Sequence, residues 1–93
     1  MVCKNMRKTT RKLICHLEAV NKNIIRVDVA KFPFDSDVIQ LDRGYELIID
    51  EDAALPTVSI EERMDVGGNV NIAAWVIDED AVLDEVIKIV LKL

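Results

Sequence analysis

Residues 57–77 read TVSIEERMDVGGNVNIAAWVI, two runs of strand-forming residues on either side of Gly67-Gly68. Glycine readily takes the positive φ angles that tight hairpin turns demand, so the stretch is expected to be an antiparallel hairpin. With Gly67-Gly68 as a two-residue loop, Val66 faces Asn69, Ile60 pairs with Trp75 and Val58 with Ile77, and the apolar residues meet on one face. Moving the loop to Gly68-Asn69 changes the partners but keeps these faces together, whereas a three-residue loop turns Trp75 to the other side. The run from Val70 to Ile77 is apolar on both faces, while Thr57, Ser59, Glu61 and Arg63 keep one face of its partner polar. The second run is therefore expected to be the more central strand, with Trp75 in the core, and the first to lie nearer an edge.

Working upstream, Tyr45 to Asp50 and Val38 to Leu41 bracket Asp42-Arg43-Gly44, a turn-like cluster, and read as another hairpin. Ile24 to Phe32 reads as a strand, because Ile25, Val27 and Val29 alternate with Arg26, Asp28 and Ala30 until Pro33, which cannot donate to a ladder. Between Met6 and Val20 two periods compete. Met6, Thr10, Leu13, Leu17 and Val20 follow helical spacing, opposite a stripe of Lys4, Arg7, Lys8, Arg11 and Lys12. Leu13, Cys15, Leu17 and Ala19 alternate as a strand, with Asn21-Lys22-Asn23 turning the chain into the next one. The turn and β-branched residues that follow favour the strand from about residue 12, with a basic helix as its rival.

Downstream, Asp78-Glu79-Asp80 reads as a helix start, since acids suit the positive end of the helix dipole and Asp caps orphan amides; Lys88 and Lys92 suit its last turns. Asp84, Glu85, Lys88 and Lys92 form one narrow polar stripe, and the rest of the wheel is apolar, including Val82, Leu83, Val86, Ile87, Val90 and Leu91. A helix on one sheet face needs an apolar stripe of roughly 100° or somewhat more, so the surplus points to a subunit interface through those six residues. The competing reading makes Ile87 to Leu93 a strand, since Ile87, Ile89, Leu91 and Leu93 also alternate.

The fold class that follows is α+β: a largely antiparallel sheet of about five or six strands in successive hairpins, with a C-terminal helix and a possible basic N-terminal one. The chain of 93 residues has room for one core, and 51% hydrophobic and 31% charged residues place it among globular proteins. Twelve Val and eleven Ile against eight Leu favour sheet. The formal charge of −5 is unevenly spread: residues 1–12 carry five basic residues and no acid, and the remaining 81 hold seven basic against 17 acidic, a formal −10. The expected organisation is a basic N-terminal arm over 1–12, with mobility in solution as one option, and a single acidic domain over 13–93. No apolar stretch approaches the roughly 18 residues of a membrane span or forms a signal-peptide core, so a cytoplasmic protein with no membrane partner is expected. The acid-free residues 1–17 share one feature with organelle transit peptides.

No catalytic constellation is legible. Cys15-His16 places a thiol beside an imidazole, but adjacent strand residues point to opposite faces, so a structural cysteine next to a surface histidine is expected, with Cys3 and Cys15 reduced. Two cysteines and one histidine lack the spacing of a zinc site, and neither Asp35-x-Asp37 nor Asp50-Glu51-Asp52 has the ordered spacing of a calcium loop. No cofactor fingerprint is present, and Gly67-Gly68 lies between strands rather than before a helix. The leading functional expectation is a non-enzymatic interaction protein, a regulator or inhibitor. It self-associates, as a dimer, through the C-terminal helix and offers Asp50, Glu51, Asp52, Asp78, Glu79 and Asp80 to a basic partner. In its sharpest form the acids imitate nucleic-acid phosphate, as small phage or viral inhibitors do. The alternatives are a dimeric nucleic-acid-binding protein using Lys4, Arg7, Lys8, Arg11 and Lys12, and a small-ligand-binding domain.

Overall fold

The computed structural model describes residues 8–28, 36–50 and 55–93. Within them lie α1 (Lys8–Ala19), β1 (Ile24–Asp28), β2 (Ser36–Leu41), β3 (Tyr45–Asp50), β4 (Thr57–Arg63), β5 (Asn69–Val76) and α2 (Asp80–Leu91). The strands form one antiparallel sheet in the order β1-β2-β3-β4-β5, the meander that successive hairpins generate. This is the expected α+β fold, with a helix at each end of the described chain.

Period-two alternation decides which sheet face is covered. Asp37, Ile39 and Leu41 on β2, Leu47 and Ile49 on β3, and Val58 and Ile60 on β4 are buried, and the residues between them are mostly half-exposed. Cross-strand pairing lines the buried set into rows: Ile39 with Leu47, Ile60 and Ala73, and Ile49 with Val58 and Trp75. Thr10, Leu13, Ile14 and Leu17 of α1 and Leu83, Val86, Ile87 and Val90 of α2 close over that face in one continuous core. Each fully buried aliphatic side chain contributes about 1.5–3 kcal/mol relative to exposure. Among the described residues no helix covers the opposite face, whose central row is Val38, Ile48, Ser59 and Ala74.

Residues 8–19 are helical, which overturns the strand favoured from about residue 12. The helical period gathers Thr10, Leu13, Ile14 and Leu17 onto one buried stripe, whereas the strand face of Leu13, Cys15, Leu17 and Ala19 would bury Cys15 and Ala19, both exposed. The Asn21-Lys22-Asn23 turn is the stop of this helix. Asn21 adopts φ 57°, the Asn21 N–H donates to Glu18 O at 3.1 Å and the Lys22 N–H to Leu17 O at 2.9 Å, a Schellman cap. The boundary expected at residue 12 therefore falls inside α1, and residues 1–7 lie outside the described residues.

The β2–β3 hairpin forms as expected around Asp42-Arg43-Gly44, and its turn holds Arg43 at φ 62° and Gly44 at φ 81°. An L-residue in the left-handed region costs roughly 1–2 kcal/mol, which glycine avoids at the expense of a more flexible unfolded chain. Arg43→Gly is accordingly expected to stabilise the protein by about 0.5–1 kcal/mol, read as a higher urea midpoint with an unchanged slope. The buried Asp42 Oδ1 has no hydrogen bond, but the Lys22 ammonium lies 3.5 Å away and ties the end of α1 to this turn electrostatically.

Two expectations about the strands are corrected. In β1 an irregularity between Ile24 and Arg26 turns Ile24 and Val27 toward the core and leaves Ile25 61% exposed, so the expected Ile25–Val27–Val29 face is broken; Val29–Phe32 lie outside the described residues. In the last hairpin Val58 pairs with Trp75 and Ile60 with Ala73, two residues from the expected register, and β5 is an edge strand while β4 is internal. The loop is longer than two residues: the Met64 N–H donates to Gly68 O and the Gly67 N–H to Met64 O, both at 3.2 Å. Near the loop Arg63 faces Asn69 and Glu61 faces Asn71, an odd-length closure that alone would turn Trp75 away from the core. One extra residue, Ile72, is inserted opposite the Ile60–Glu61 step, and this bulge restores the parity that lets Trp75 pack against the core.

The C-terminal segment is helical, as expected, but most of its wide apolar arc is covered within the chain. Leu83, Val86, Ile87 and Val90 are buried, Val82 is half-buried, and Leu91 is exposed. The sheet takes one flank of the arc and α1 takes another. The inference that this arc needs a second subunit loses its premise, because it assumed a single sheet face as the only cover.

Candidate functional site

Lys12 Nζ lies 2.7 Å from Asp80 Oδ1 and His16 Nδ1 lies 3.6 Å from Asp84 Oδ1. These contacts sit one turn apart in the same order on both helices, so α1 and α2 run side by side in the same direction. The described start of α1 and the start of α2 therefore share one end of the molecule, beside the Pro56 carbonyl that accepts from the Ile77 N–H at 2.7 Å. An open cleft of about 230 Å³ lies there, lined among others by Lys8, Lys12, Pro56, Asp78, Glu79 and Leu83.

This end brings together two groups that the sequence reading kept apart. Lys8 and Lys12, assigned to phosphate, line the same cleft as Asp78, Glu79 and Asp80, assigned to a basic partner. Lys12 answers Asp80 directly, and the Lys12 hydrogen bond followed by its charge holds the Asp80 carboxyl below the usual carboxylate range. Glu79 is the N-cap of α2 but makes no side-chain cap hydrogen bond, and Asp80 points at Lys12 rather than capping as expected. Because the folded-state value of Asp80 is depressed, the pair's contribution is present at neutral pH and is lost as pH falls below about 4. In Lys12→Ala the Asp80 carboxyl, followed by NMR titration, is expected to move up toward its ordinary value; an unchanged midpoint would show that Lys12 is not the cause.

The remaining candidate residues are dispersed. Arg11 is exposed on α1, and neither it nor Lys8 forms an ion pair among the described residues. Asp50 is half-buried at the end of β3 and has a partner of its own. Lys4, Arg7, Glu51 and Asp52 lie outside the described residues, as does Cys3. Cys15 is an exposed free thiol, which corrects the expectation of a structural cysteine: on a helix it points away from the stripe carrying Ile14 and Leu17. Among the described residues no cluster of three or more His, Cys, Asp and Glu side chains is placed to hold a metal ion.

One surface went unnoticed in the sequence reading. Of the nine exposed large hydrophobic residues among the described ones, Met64, Val66, Val70, Ile72 and Val76 belong to the last hairpin, with Val66 at its tip 95% exposed. A signal for it was present: Val66 to Ile77 holds no charged residue in a chain that is 31% charged. Apolarity on both strand faces suggested burial between neighbours, yet here it marks an open edge. Among the described residues no helix is long and apolar enough to cross a membrane. Comparison with protein-family models, with curated proteins and with solved structures finds no match.

Proposed function

We propose that this chain is a small non-enzymatic interaction protein, a regulator or inhibitor acting in the cytoplasm, that works by docking rather than by chemistry. The observation that carries this reading is where its surface is unfinished. At the helix end Lys12 engages Asp80 and, one turn on, His16 lies against Asp84, whereas Met64, Val66, Val70, Ile72 and Val76 of the last hairpin face solvent. Exposed apolar clusters of this kind mark contact surfaces. Asp78 and Glu79, with Glu85 one turn into α2, offer acidic exposed groups to a basic protein partner. Self-association through α2 retains only Val82 and Leu91, so the last hairpin is the better supported contact.

The test is capture from nuclease-treated lysate with the wild-type chain and with the charge-neutralised variant Asp78→Asn/Glu79→Gln/Glu85→Gln. A basic protein recovered by the first, released by salt and lost with the second, is the expected result. No capture, together with a monomeric mass, would overturn the reading. A second reading, nucleic-acid binding, draws on Lys8 and Arg11, which have no ion partner among the described residues, but Lys12 is already engaged by Asp80. It expects steeply salt-sensitive binding abolished by Lys8→Ala/Arg11→Ala. The cleft falls below the roughly 300–1,000 Å³ of typical ligand pockets and carries an ion pair, which leaves the small-ligand reading with the least support.

A further inference from the structure

We infer that β5 is the seam of a homodimer, in which two copies pair their Asn69–Val76 edges antiparallel about a two-fold axis normal to the sheet, joining two five-stranded sheets into one. The inference deepens the self-association part of the proposed function and is independent of the acidic surface.

The two sheet edges are treated in opposite ways. β1 is interrupted by the irregularity at Ile25 and carries Arg26 and Asp28, whose side chains bond each other at 2.8 Å. A bulge and charge are usual means of blunting an edge. β5 is eight residues long and has no charge and no proline; its single protective device is the bulge at Ile72. Among the described residues no strand pairs with its outer side, so a row of backbone donors and acceptors is open beside Val70, Ile72 and Val76, which are 47%, 42% and 52% exposed.

Charge selects the occupant. A protein of formal charge −5 repels its own copy over most approaches, and the uncharged run from Val66 to Ile77 is where two copies meet without placing like charges opposite each other. A charged partner strand finds no counter-charge on β5, whereas an identical strand matches it in length, neutrality and apolar content. An isologous strand pair needs only that self-match. It also leaves both copies' helices on one side of the joined sheet, with α2 packed over the inner face of β5.

This arrangement has a salt signature that separates it from acid-to-base docking. Residual repulsion between two acidic copies is screened by salt, so dimerisation tightens as salt rises, whereas binding of a basic protein or of nucleic acid weakens. Sedimentation equilibrium of the full chain from about 5 to 500 µM is expected to show a monomer–dimer equilibrium whose Kd falls at least about threefold between 20 and 300 mM NaCl. Ile72→Lys and, separately, Val76→Lys place like charges along the seam on exposed positions. Both are expected to be monomeric throughout with unchanged far-UV circular dichroism, and to keep any salt-labile capture of a basic partner. A wild-type chain monomeric at 500 µM in high salt would overturn the inference. So would a dimer that persists in both lysine variants, or one that weakens with salt; capture of a basic partner in any of these cases would leave the broader functional reading standing.

Discussion

Asp37→Ala is expected to lower the unfolding free energy by about 2–3 kcal/mol, and the reason lies in the only acidic side chain that the described core encloses completely. Asp37 opens the buried row of β2, and its Oδ2 accepts from the Thr10 hydroxyl at 2.6 Å, a bond joining α1 to the sheet across 27 residues of chain. Thr10 is itself fully buried, so deleting the carboxylate strands a hydroxyl that no water reaches. Thr9 and Asp37 each have a further interaction. Thr10→Val, which keeps the shape and removes that donor, is expected to cost about 1.5–3 kcal/mol, since bonds to charged groups lie at the strong end of the range. Asp37→Asn keeps an acceptor and is expected to lose less than Asp37→Ala. Urea denaturation of the three variants decides the matter: losses all within about 0.5 kcal/mol would mean that this contact does not hold α1 to the sheet.

Leu17→Ala is expected to cost about 2–5 kcal/mol, while Cys15→Ala costs within about 0.5 kcal/mol. Leu17 is fully buried between the sheet and α2, and truncating it leaves a void that packed neighbours fill only in part. Cys15 is exposed on the same helix. The contrast matters because a strand would place positions 15 and 17 on one face and make both substitutions costly, or neither. A helix separates them by about 200°, one toward the core and one toward water. Thermal unfolding is a sufficient readout, since a loss of this size shifts Tm by more than about 8 °C in a domain of this length. Equal effects at the two positions would refute the helical packing of α1.

Both predictions concern α1, the element whose role most changes the functional picture. With α1 seated beside α2, the C-terminal helix is an ordinary core element, and the unsatisfied surface moves to the outer edge of β5 and the tip of its hairpin. The same packing brings Lys12 to Asp80, so the basic stripe and the acidic helix start partly cancel instead of serving separate partners. The charge division counted along the chain is real as composition. In space one of its pairs, Lys12 with Asp80, is an internal contact.

Local physics made much of the architecture legible. Alternation in β2 and β3 around a turn that needs left-handed residues, acids ahead of an apolar helix, and two glycines between strand-like runs each depend on neighbours a few residues apart, and all three elements formed where the residues point. Relations that depend on distant packing were not legible. The period over residues 8–19 served helix and strand alike until the buried stripe of Thr10, Leu13, Ile14 and Leu17 found a core. The wide arc of α2 demanded a cover without naming it, because a helical wheel records how much surface is apolar and not what meets it. The two-sided apolarity of β5 fits a central strand and an open edge equally, and only the pairing order separates them. Its register turned on an odd-length loop compensated by the bulge at Ile72, a choice made by Trp75 packing on the core rather than by any preference within the turn.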